Sequence, residues 1–231
     1  MNIAIIPARG GSKRIPRKNI KDFCGMPMIA WSIQAAIESK CFDKIIVSTD
    51  DGEIAKVARS YGADTPFVRP PELSHDHAGT TPVIAHAIDW INNSERKVDS
   101  ACCIYATAPF VLATDLQHGL NLLKKSNADF AISVTSFPFP IQRAIRITPE
   151  NRIQMFQSNN FNKRSQDLEN AWHDAGQFCW GKAESWIELK PVFNSNSVPI
   201  ILPRYRVQDI DTPEDWQRAE YLQKILKMNK A

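Results

Sequence analysis

The sequence predicts an α/β protein with a mostly parallel sheet, on three observations. Short apolar runs alternate with segments in which apolar residues recur every three or four positions, the pattern of strands followed by helices. The first apolar run leads into a glycine-containing basic loop, as in parallel sheets that hold an anion at a strand end. The 231 residues are 43% apolar and 23% charged, which is enough for one sizeable core.

The first 62 residues predict strand, helix, strand and helix in that order. The run IAII begins the chain, and the run KIIVS forms the second strand. The second helix starts after Asp50 and Asp51, and Gly62 ends it. The predicted bounds are a strand at 3–6, a helix at 28–40, a strand at 44–48 and a helix at 52–62.

The rest of the chain continues this rhythm with one interruption. A proline-rich loop at 65–81 leads into a helix that starts at Pro82, with Thr80 or Thr81 as its N-cap. Thr212 and Asp215 form a capping box for the last helix, with Pro213 in its first turn. The other predicted elements are strands at 100–105, 129–135, 177–180 and 198–202, and helices at 114–126 and 183–190.

The interruption covers residues 137–176. It carries two short alternating stretches, at 143–147 and 152–156, followed by a polar run. We therefore predict one domain over residues 1–231, with an inserted hairpin and loop at 137–176. Insertions of this kind often build oligomer contacts or a lid. The alternative is a solvated surface loop, particularly for the polar part.

The loop that follows the first strand has five basic residues before any acidic one. They are Arg9, Lys13, Arg14, Arg17 and Lys18. Gly10 and Gly11 are predicted to adopt backbone angles that let main-chain N–H groups surround one anionic ligand. Neither the Walker A spacing nor G-x-G-x-x-G is present. The pattern favours a polyphosphate site over a solvated basic loop.

Composition excludes several other classes of function. A net charge of +3 is too small to indicate nucleic-acid binding, and the basic excess is concentrated in the opening loop. No apolar run is long enough for a membrane helix, and Met1 leads directly into a strand, so neither an anchor nor a secretory signal is expected. Five cysteines without a C-x-x-C pair indicate reduced thiols in a cytoplasmic protein. His75 and His77 lack a third spaced ligand, so zinc is not predicted.

Two carboxylates near the C-terminus complete the candidate chemistry. Asp209 and Asp211 are two positions apart, so an extended backbone would direct both to the same side. Mg²⁺ prefers carboxylate and phosphate oxygens and usually needs one or two protein carboxylates. The alternative is a turn followed by a helix cap, in which aspartate is common. The basic loop favours the metal site.

The motifs resemble one known family over nearly the whole chain. R-x-x-S-K at 9–13 with Lys18 and Asn19, R-P-x-E-L at 69–73 with Asp76 and Thr80, and D-I-D-T at 209–212 are similar to the CMP-sialic acid synthetases. These cytidylyltransferases load nine-carbon acidic sugars onto CMP. The resemblance implies a Rossmann-like nucleotidyltransferase fold with a small dimerisation insertion. It implies a nucleotide site at Ala8, Arg9, Gly10, Gly11, Ser12, Lys13, Lys18, Asn19, Arg69 and Thr80.

Two strings depart from the sialic acid pattern. Y-A-T-A-P-F at 105–110 and H-D-A-G-Q-F at 173–178 resemble the pseudaminic acid cytidylyltransferases instead. Tyr105 stands where a sugar-contacting glutamine is typical, and Val111 replaces an arginine. The resemblance therefore favours pseudaminate over N-acetylneuraminate. The implied sugar-binding residues are Tyr105, Thr107, His173, Asp174, Gln177 and Phe178.

The implied reaction is CTP plus pseudaminic acid giving CMP-pseudaminic acid and pyrophosphate. Arg9, Lys18 and Asp211 are the expected catalytic residues, and Asp209 and Asp211 hold Mg²⁺. A homodimer, a cytoplasmic location and a role in decorating flagella or surface polysaccharide are implied by the family alone. The alternatives are a legionaminate or N-acetylneuraminate synthetase, a glycosyltransferase of similar fold and a non-catalytic nucleotide sensor. A glycosyltransferase usually carries its D-x-D in mid-chain, which disfavours that alternative.

Overall fold

The computed structural model describes residues 1–228, which form strands and helices in the alternating order that the sequence predicts. The strands are β1 (Asn2–Pro7), β2 (Asp22–Phe23), β3 (Met26–Pro27), β4 (Lys44–Ser48), β5 (Ser100–Ile104), β6 (Phe130–Ser136), β7 (Ile145–Ile147), β8 (Ile153–Met155), β9 (Trp172–Lys182) and β10 (Ser197–Ile201). The α-helices are α1 (Met28–Ser39), α2 (Gly52–Ser60), α3 (Thr80–Ser94), α4 (Ala113–Ser126), α5 (Ala183–Ile187) and α6 (Pro213–Met228).

The central sheet has six strands in the order β10-β6-β9-β5-β1-β4. β1 pairs in parallel with β4 and β5, and β10 pairs in parallel with β6. Only β9 runs antiparallel in this sheet, between β5 and β6. The prediction of an α/β fold with a mostly parallel sheet is confirmed. The carboxyl ends of β1, β4 and β5 share one edge, which is where open α/β sheets bind ligands.

Helices cover both faces of this sheet, so its strands are apolar throughout rather than alternating. α1, α2 and α4 bury one face through Ile29, Ala58 and Leu116. α3 and α5 bury the other through Ile88 and Trp186. None of the helices in residues 1–228 combines the length and the apolar composition that crossing a lipid bilayer requires.

A third apolar cluster joins the two ends of the chain. Phe23 is fully buried and packs edge-on against Trp216, with ring centroids 5.3 Å apart. Ile210 is also fully buried in this cluster. Because Phe23 follows the basic loop and Ile210 lies between Asp209 and Asp211, this cluster places the two predicted motifs side by side.

Two local predictions are wrong. α3 begins at Thr80 with Gly79 as its N-cap, and no side chain caps it. Thr80 instead lines a small cavity together with Tyr105. Within residues 1–228, the glycines with positive φ are Gly25, Gly62 and Gly176, so Gly10 and Gly11 do not use the left-handed region. The capping box of α6 is confirmed, since the main-chain N–H of Asp215 donates to Thr212 Oγ1 at 3.2 Å.

The segment predicted as an insertion contains the expected hairpin. β7 and β8 pair antiparallel and form a sheet separate from the central one. β9 starts at Trp172, so residues 172–176 belong to the central sheet. Several large apolar side chains of this segment are exposed, and they form a surface that we call the insertion surface. Its most exposed members are Phe139, Ile147, Ile153, Phe156 and Phe161.

Candidate active site

One cavity of about 530 Å³ opens at the carboxyl ends of β1 and β5, and we call it the main cavity. It combines the basic loop, the segment after β5 and one C-terminal carboxylate. Its walls are formed by Pro7, Arg9, Ser12, Lys13, Arg14, Ile15, Lys18, Asn19, Asp76, Tyr105, Ala106, Thr107 and Asp211. The structure thus brings together most of the predicted phosphate-binding side chains with Tyr105 and Thr107 of the predicted sugar site.

Ion pairs hold the basic loop against the start of α2. Arg17 adopts a left-handed conformation with φ 56°, and its guanidinium pairs with the carboxylates of Asp51 and Glu53. These hydrogen bonds lower the pKa of Asp51 to about 2. Asp51 also caps α2 by accepting from the N–H groups of Glu53 and Ile54, both at 2.9 Å. The loop therefore has a defined position before any ligand binds.

Position 10 requires glycine because its backbone lies close to Asp51, the N-cap of α2. A Cβ at this position would lie 2.7 Å from Asp51 Oδ2, whereas a Cβ at Gly11 would have no atom within 4 Å. The Gly10 N–H donates to Asp50 Oδ1 at 2.9 Å, and the Ser12 N–H donates to the Gly10 carbonyl at 3.0 Å. Two N–H groups of the predicted phosphate cradle are therefore engaged within the protein itself.

Asp76 lies between two cations of the basic loop. Its carboxylate lies 2.5 Å from Arg9 Nη1 and 2.5 Å from Lys13 Nζ. Hydrogen bonds from Lys13 and Arg9 lower the pKa of Asp76 to about 2. All three side chains are partly or largely exposed. A polyanion entering the main cavity would compete with Asp76 for the same two cations.

Asp211 is held by two residues of the basic loop. Arg14 Nη2 lies 2.9 Å from Asp211 Oδ2, and Lys18 Nζ lies 3.2 Å from Asp211 Oδ1. Lys18 also donates to the main-chain carbonyl of Ile210 at 2.6 Å. The Asn19 amide donates to the Arg9 carbonyl at 3.0 Å, which stabilises the loop internally.

Asp209 lies beside β9, next to a glycine with a left-handed backbone. A Cβ at Gly176, where φ is 63°, would lie 3.9 Å from Asp209 Oδ1. The pKa of Asp209 is raised by partial desolvation and by the neighbouring charge of Asp211. No group of three or more His, Cys, Asp or Glu side chains in residues 1–228 is arranged to hold a metal ion. A pair of carboxylates fits Mg²⁺, which keeps waters and binds through few protein ligands.

Tyr105 separates the main cavity from a smaller one of about 120 Å³, which we call the side cavity. Burial raises the pKa of Tyr105 far above its usual value, so its hydroxyl stays protonated. Burial also raises the pKa of Asp174, with Asp209 adding to the shift. The side cavity is lined by Thr80, Thr81, Cys103, Tyr105, Ile132, Asp174, Phe178, Cys179, Trp186, Val192 and Phe193.

Arg69 is nearly fully buried behind the sheet edge, at 4% exposed. Its guanidinium donates to the Ser48 hydroxyl at 3.1 Å and to the Ser48 carbonyl. Desolvation lowers the pKa of Arg69 to about 10. Arg69 thus ties the 65–81 loop to the end of β4.

Four further predicted residues, in addition to Gly10, Arg69 and Asp209, line neither cavity. Ala8 is buried at the end of β1. His173 packs edge-on against Phe137, with ring centroids 4.7 Å apart. Gln177 is 2% exposed, and its amide donates to the Arg206 carbonyl at 2.6 Å. Gly11 completes this set, and it borders Ser12 on the main cavity.

Sequence reasoning did not assign several residues that organise this site. Arg14 was noted only as one of the basic residues, and Asp76 only as part of the resemblance. Asp115 and Arg206 were not identified at all. Both belong to contacts between distant segments, which leave no spacing pattern in the sequence.

Comparisons with known proteins identify the family of this chain. Residues 3–227 match the family model described as cytidylyltransferase. The chain is 44% identical to the pseudaminic acid cytidylyltransferase of Campylobacter jejuni, over 97% of both chains. It is 31% identical to the CMP-N,N'-diacetyllegionaminic acid synthase of Legionella pneumophila, over 96% of both chains.

Solved structures share the fold. A CMP:2-keto-3-deoxy-manno-octonic acid synthetase in complex with CTP superimposes with a TM-score of 0.69 at 16% identity, covering 96% of this chain and 98% of that one. A 4-diphosphocytidyl-2C-methyl-D-erythritol synthase from Anaerococcus prevotii gives a TM-score of 0.60 at 15% identity, covering 96% and 98%. Similarity at this level of identity concerns the fold alone. The family match over nearly the whole chain shows that this protein is an enzyme of the cytidylyltransferase family.

Proposed function

We propose that this enzyme transfers CMP from CTP to pseudaminic acid, releasing pyrophosphate. The observation that carries the proposal is the main cavity, where Arg9, Lys13, Arg14 and Lys18 face Tyr105 and Asp211. A highly charged triphosphate needs such a cluster of cations. The 44% identity to pseudaminic acid cytidylyltransferase supports the choice of sugar over its stereoisomers.

The basic loop binds and orients the triphosphate in this proposal. Arg9 and Lys13 exchange the carboxylate of Asp76 for phosphate oxygens, which keeps both cations neutralised in each state. The sugar hydroxyl attacks the α-phosphorus, and the bond from this phosphorus to the pyrophosphate oxygen breaks. Positioning and charge neutralisation are the main tasks in such an in-line displacement.

Lys18 and Asp211 lie where the triphosphate and the sugar would meet. Lys18 neutralises the phosphates while its contact with the Ile210 carbonyl keeps its ammonium group at the cavity wall. Asp209 and Asp211 would hold Mg²⁺ by their carboxylates. Bound there, the ion would supply charge neutralisation of the phosphates and a lower pKa for a coordinated hydroxyl.

The sugar would lie against Tyr105 and Thr107, with substituents directed into the side cavity. The walls of that cavity include Phe178, Cys103 and Trp186, which suit acetamido methyl and other small apolar groups. Asp174 and Thr80 add polar groups to the same walls. His173 and Gln177 belong to the same region of β9 and would support this wall rather than line it.

A homodimer is part of this proposal. Phe139 is 79% exposed, Ile153 is 73% exposed and Ile147 is 71% exposed on the insertion surface. Several exposed large apolar side chains on one small segment are typical of a protein interface. A second copy of the chain is the proposed occupant. We also place the enzyme in the cytoplasm, since its five cysteines are thiols rather than disulfides.

The test is pyrophosphate release from CTP with pseudaminate, legionaminate and N-acetylneuraminate offered separately, with and without Mg²⁺. Release with pseudaminate at a kcat/KM at least about tenfold above the other two sugars is expected, since an unpaired buried polar group disfavours the wrong isomer. A preference for another sugar would overturn the specificity assignment and keep the chemistry. Release of a nucleoside diphosphate, or no turnover by protein that binds CTP, would overturn the reaction itself.

A further inference from the structure

Arg206 lies just before the two candidate metal ligands, at the end of the one-turn 3₁₀ helix Arg204–Arg206. Its guanidinium makes two hydrogen bonds to Asp115 in α4, at 2.7 and 3.2 Å. The side chains of Arg206 and Asp115 are 13% and 16% exposed. A planar two-point contact between largely buried groups fixes orientation as well as distance.

The main chain of Arg206 has a separate anchor on the central sheet. Its carbonyl accepts a hydrogen bond of 2.6 Å from Gln177 Nε2. Gln177 lies in β9, and its own carbonyl accepts from the Tyr105 N–H at 2.9 Å. Arg206 is therefore held through its side chain by α4 and through its backbone by the strand that borders Tyr105.

The position of the segment that follows Arg206 depends on where Arg206 itself is held. Val207 packs against the apolar core on the sheet face covered by α1, α2 and α4. Ile210 is fully buried in the third apolar cluster, which joins the two ends of the chain. Asp209 lies between these anchors, beside Gly176 of β9. A shift of the chain at Arg206 would therefore displace the Asp209 carboxylate relative to Asp211, which lines the main cavity.

We propose that Arg206, together with Asp115 and Gln177, is a positioning residue for the Asp209 and Asp211 carboxylates. This inference rests on the proposed function, because it assigns these carboxylates to the metal. The Arg206 guanidinium contacts Asp115 of α4 and, at 3.4 Å, the Phe110 carbonyl, and it does not line the main cavity, so it acts on the reaction through the two aspartates. A displacement of about 1 Å at a reacting group can lower a rate about 100-fold.

The experiment measures Mn²⁺ binding to the protein in the absence of CTP, by the loss of the EPR signal of free Mn²⁺, for the wild type and three variants. Arg206→Lys keeps the charge and removes the two-point contact. Gln177→Met keeps the volume and removes the amide donor. Arg204→Lys is the matched control, because Arg204 is exposed on the same helical turn. Steady-state pyrophosphate release and melting temperature are measured on the same samples.

We expect Arg206→Lys to weaken Mn²⁺ binding about tenfold and to lower kcat about 10- to 100-fold, as loss of an outer partner of metal ligands does. The KM for CTP should stay within about threefold, and excess metal should restore part of the rate. Gln177→Met should change both quantities in the same direction, and Arg204→Lys should match the wild type. Folded Arg206→Lys and Gln177→Met proteins with wild-type Mn²⁺ affinity would overturn the inference.

The two proposals can fail separately. If the wild type binds Mn²⁺ and CTP but releases pyrophosphate with none of the three sugars, the proposed function fails. The comparison of Mn²⁺ affinities between Arg206→Lys and Arg204→Lys still decides the positioning role in that case. Equal Mn²⁺ losses in Arg204→Lys and Arg206→Lys would contradict it.

Discussion

Lys18 Nζ lies 3.2 Å from Asp211 Oδ1, although these residues are 193 positions apart in the chain. The same ammonium group donates to the Ile210 carbonyl at 2.6 Å. Lys18 is 18% exposed, so this contact is only partly screened by water. The pair forms part of the wall of the main cavity and joins the basic loop to the C-terminal segment.

Asp211→Ala should abolish turnover at any Mg²⁺ concentration. The change removes a candidate metal ligand and leaves Lys18 and Arg14 without their acidic partner. We expect kcat to fall at least about 100-fold, the scale of losing one preorganised electrostatic contact. Pyrophosphate release across a Mg²⁺ titration measures it. Glu214→Ala, in the exposed first turn of α6, should keep wild-type kinetics. Near-normal turnover of Asp211→Ala would contradict the metal assignment.

The ion pair between Arg17 and Asp51 should make stability depend on acid pH. The pKa of Asp51 is lowered from 3.8 to about 2 by Arg17, so its charged form stabilises the fold above pH 3.8. This stabilisation disappears as the pH falls toward 2. Asp51→Asn keeps the helix cap and removes the charge.

Asp51→Asn should therefore lower the melting temperature by about 2–4 °C at pH 7, the equivalent of about 1 kcal/mol. The difference from the wild type should shrink at pH 3. Glu53→Gln is the control, because Glu53 contacts the same arginine but is 67% exposed. Its effect should be smaller at both pH values. A difference that grows on acidification would refute the assigned direction.

Substitution by alanine should destabilise the protein at Gly10 but not at Gly11. A Cβ at Gly10 would meet Asp51 Oδ2 at 2.7 Å, and Asp51 cannot move away easily because Arg17 holds it. Gly10→Ala should cost about 1–3 kcal/mol, as overpacking does. Gly11→Ala meets no atom within 4 Å and should leave stability near wild type. Urea unfolding of both variants measures the difference, and equal midpoints would contradict the packing argument.

Substitution of Tyr105 or Thr80 should change the KM for the sugar more than the KM for CTP. Tyr105→Phe and Thr80→Val each remove one hydroxyl group from the wall of the side cavity. We expect either change to raise the KM for the sugar about 5- to 10-fold, since a polar group of the bound sugar would lose a hydrogen-bonding partner. The KM for CTP should change less than twofold in Tyr105→Phe. A larger effect on CTP than on the sugar would place Tyr105 on the nucleotide side.

The insertion surface should hold two copies together. Ile147→Asp and Phe156→Asp place charges on side chains that are 71% and 65% exposed in one copy. Both variants should dissociate to monomers, since a buried charge without a partner is costly. Light scattering after size exclusion gives the mass. Ile201→Asp, on an exposed position of β10, is the control and should keep the wild-type mass. A monomeric wild type would refute the proposed dimer.

The strands and helices could be predicted because buried residues recur at a regular spacing within each element. The apolar run 44–48 coincides with β4, and the helix predicted at 28–40 differs from α1 by one residue. Its apolar positions recur at helical spacing, so the pattern needs no knowledge of neighbours. The wrong N-cap of α3 has the opposite cause, since Thr80 lines the side cavity together with residues of other elements.

The sequence by itself determined the α/β class, the order of the elements and the two motifs that face the main cavity. These depend on periodicity and on residue types at short spacing. Only the tertiary structure decided that Asp76 neutralises Arg9 and Lys13, that Gly10 is needed beside Asp51, and that Arg206 anchors the carboxylate segment. Each of these contacts joins segments far apart in the chain. Their geometry follows from how the sheet and helices pack, and no local spacing encodes it.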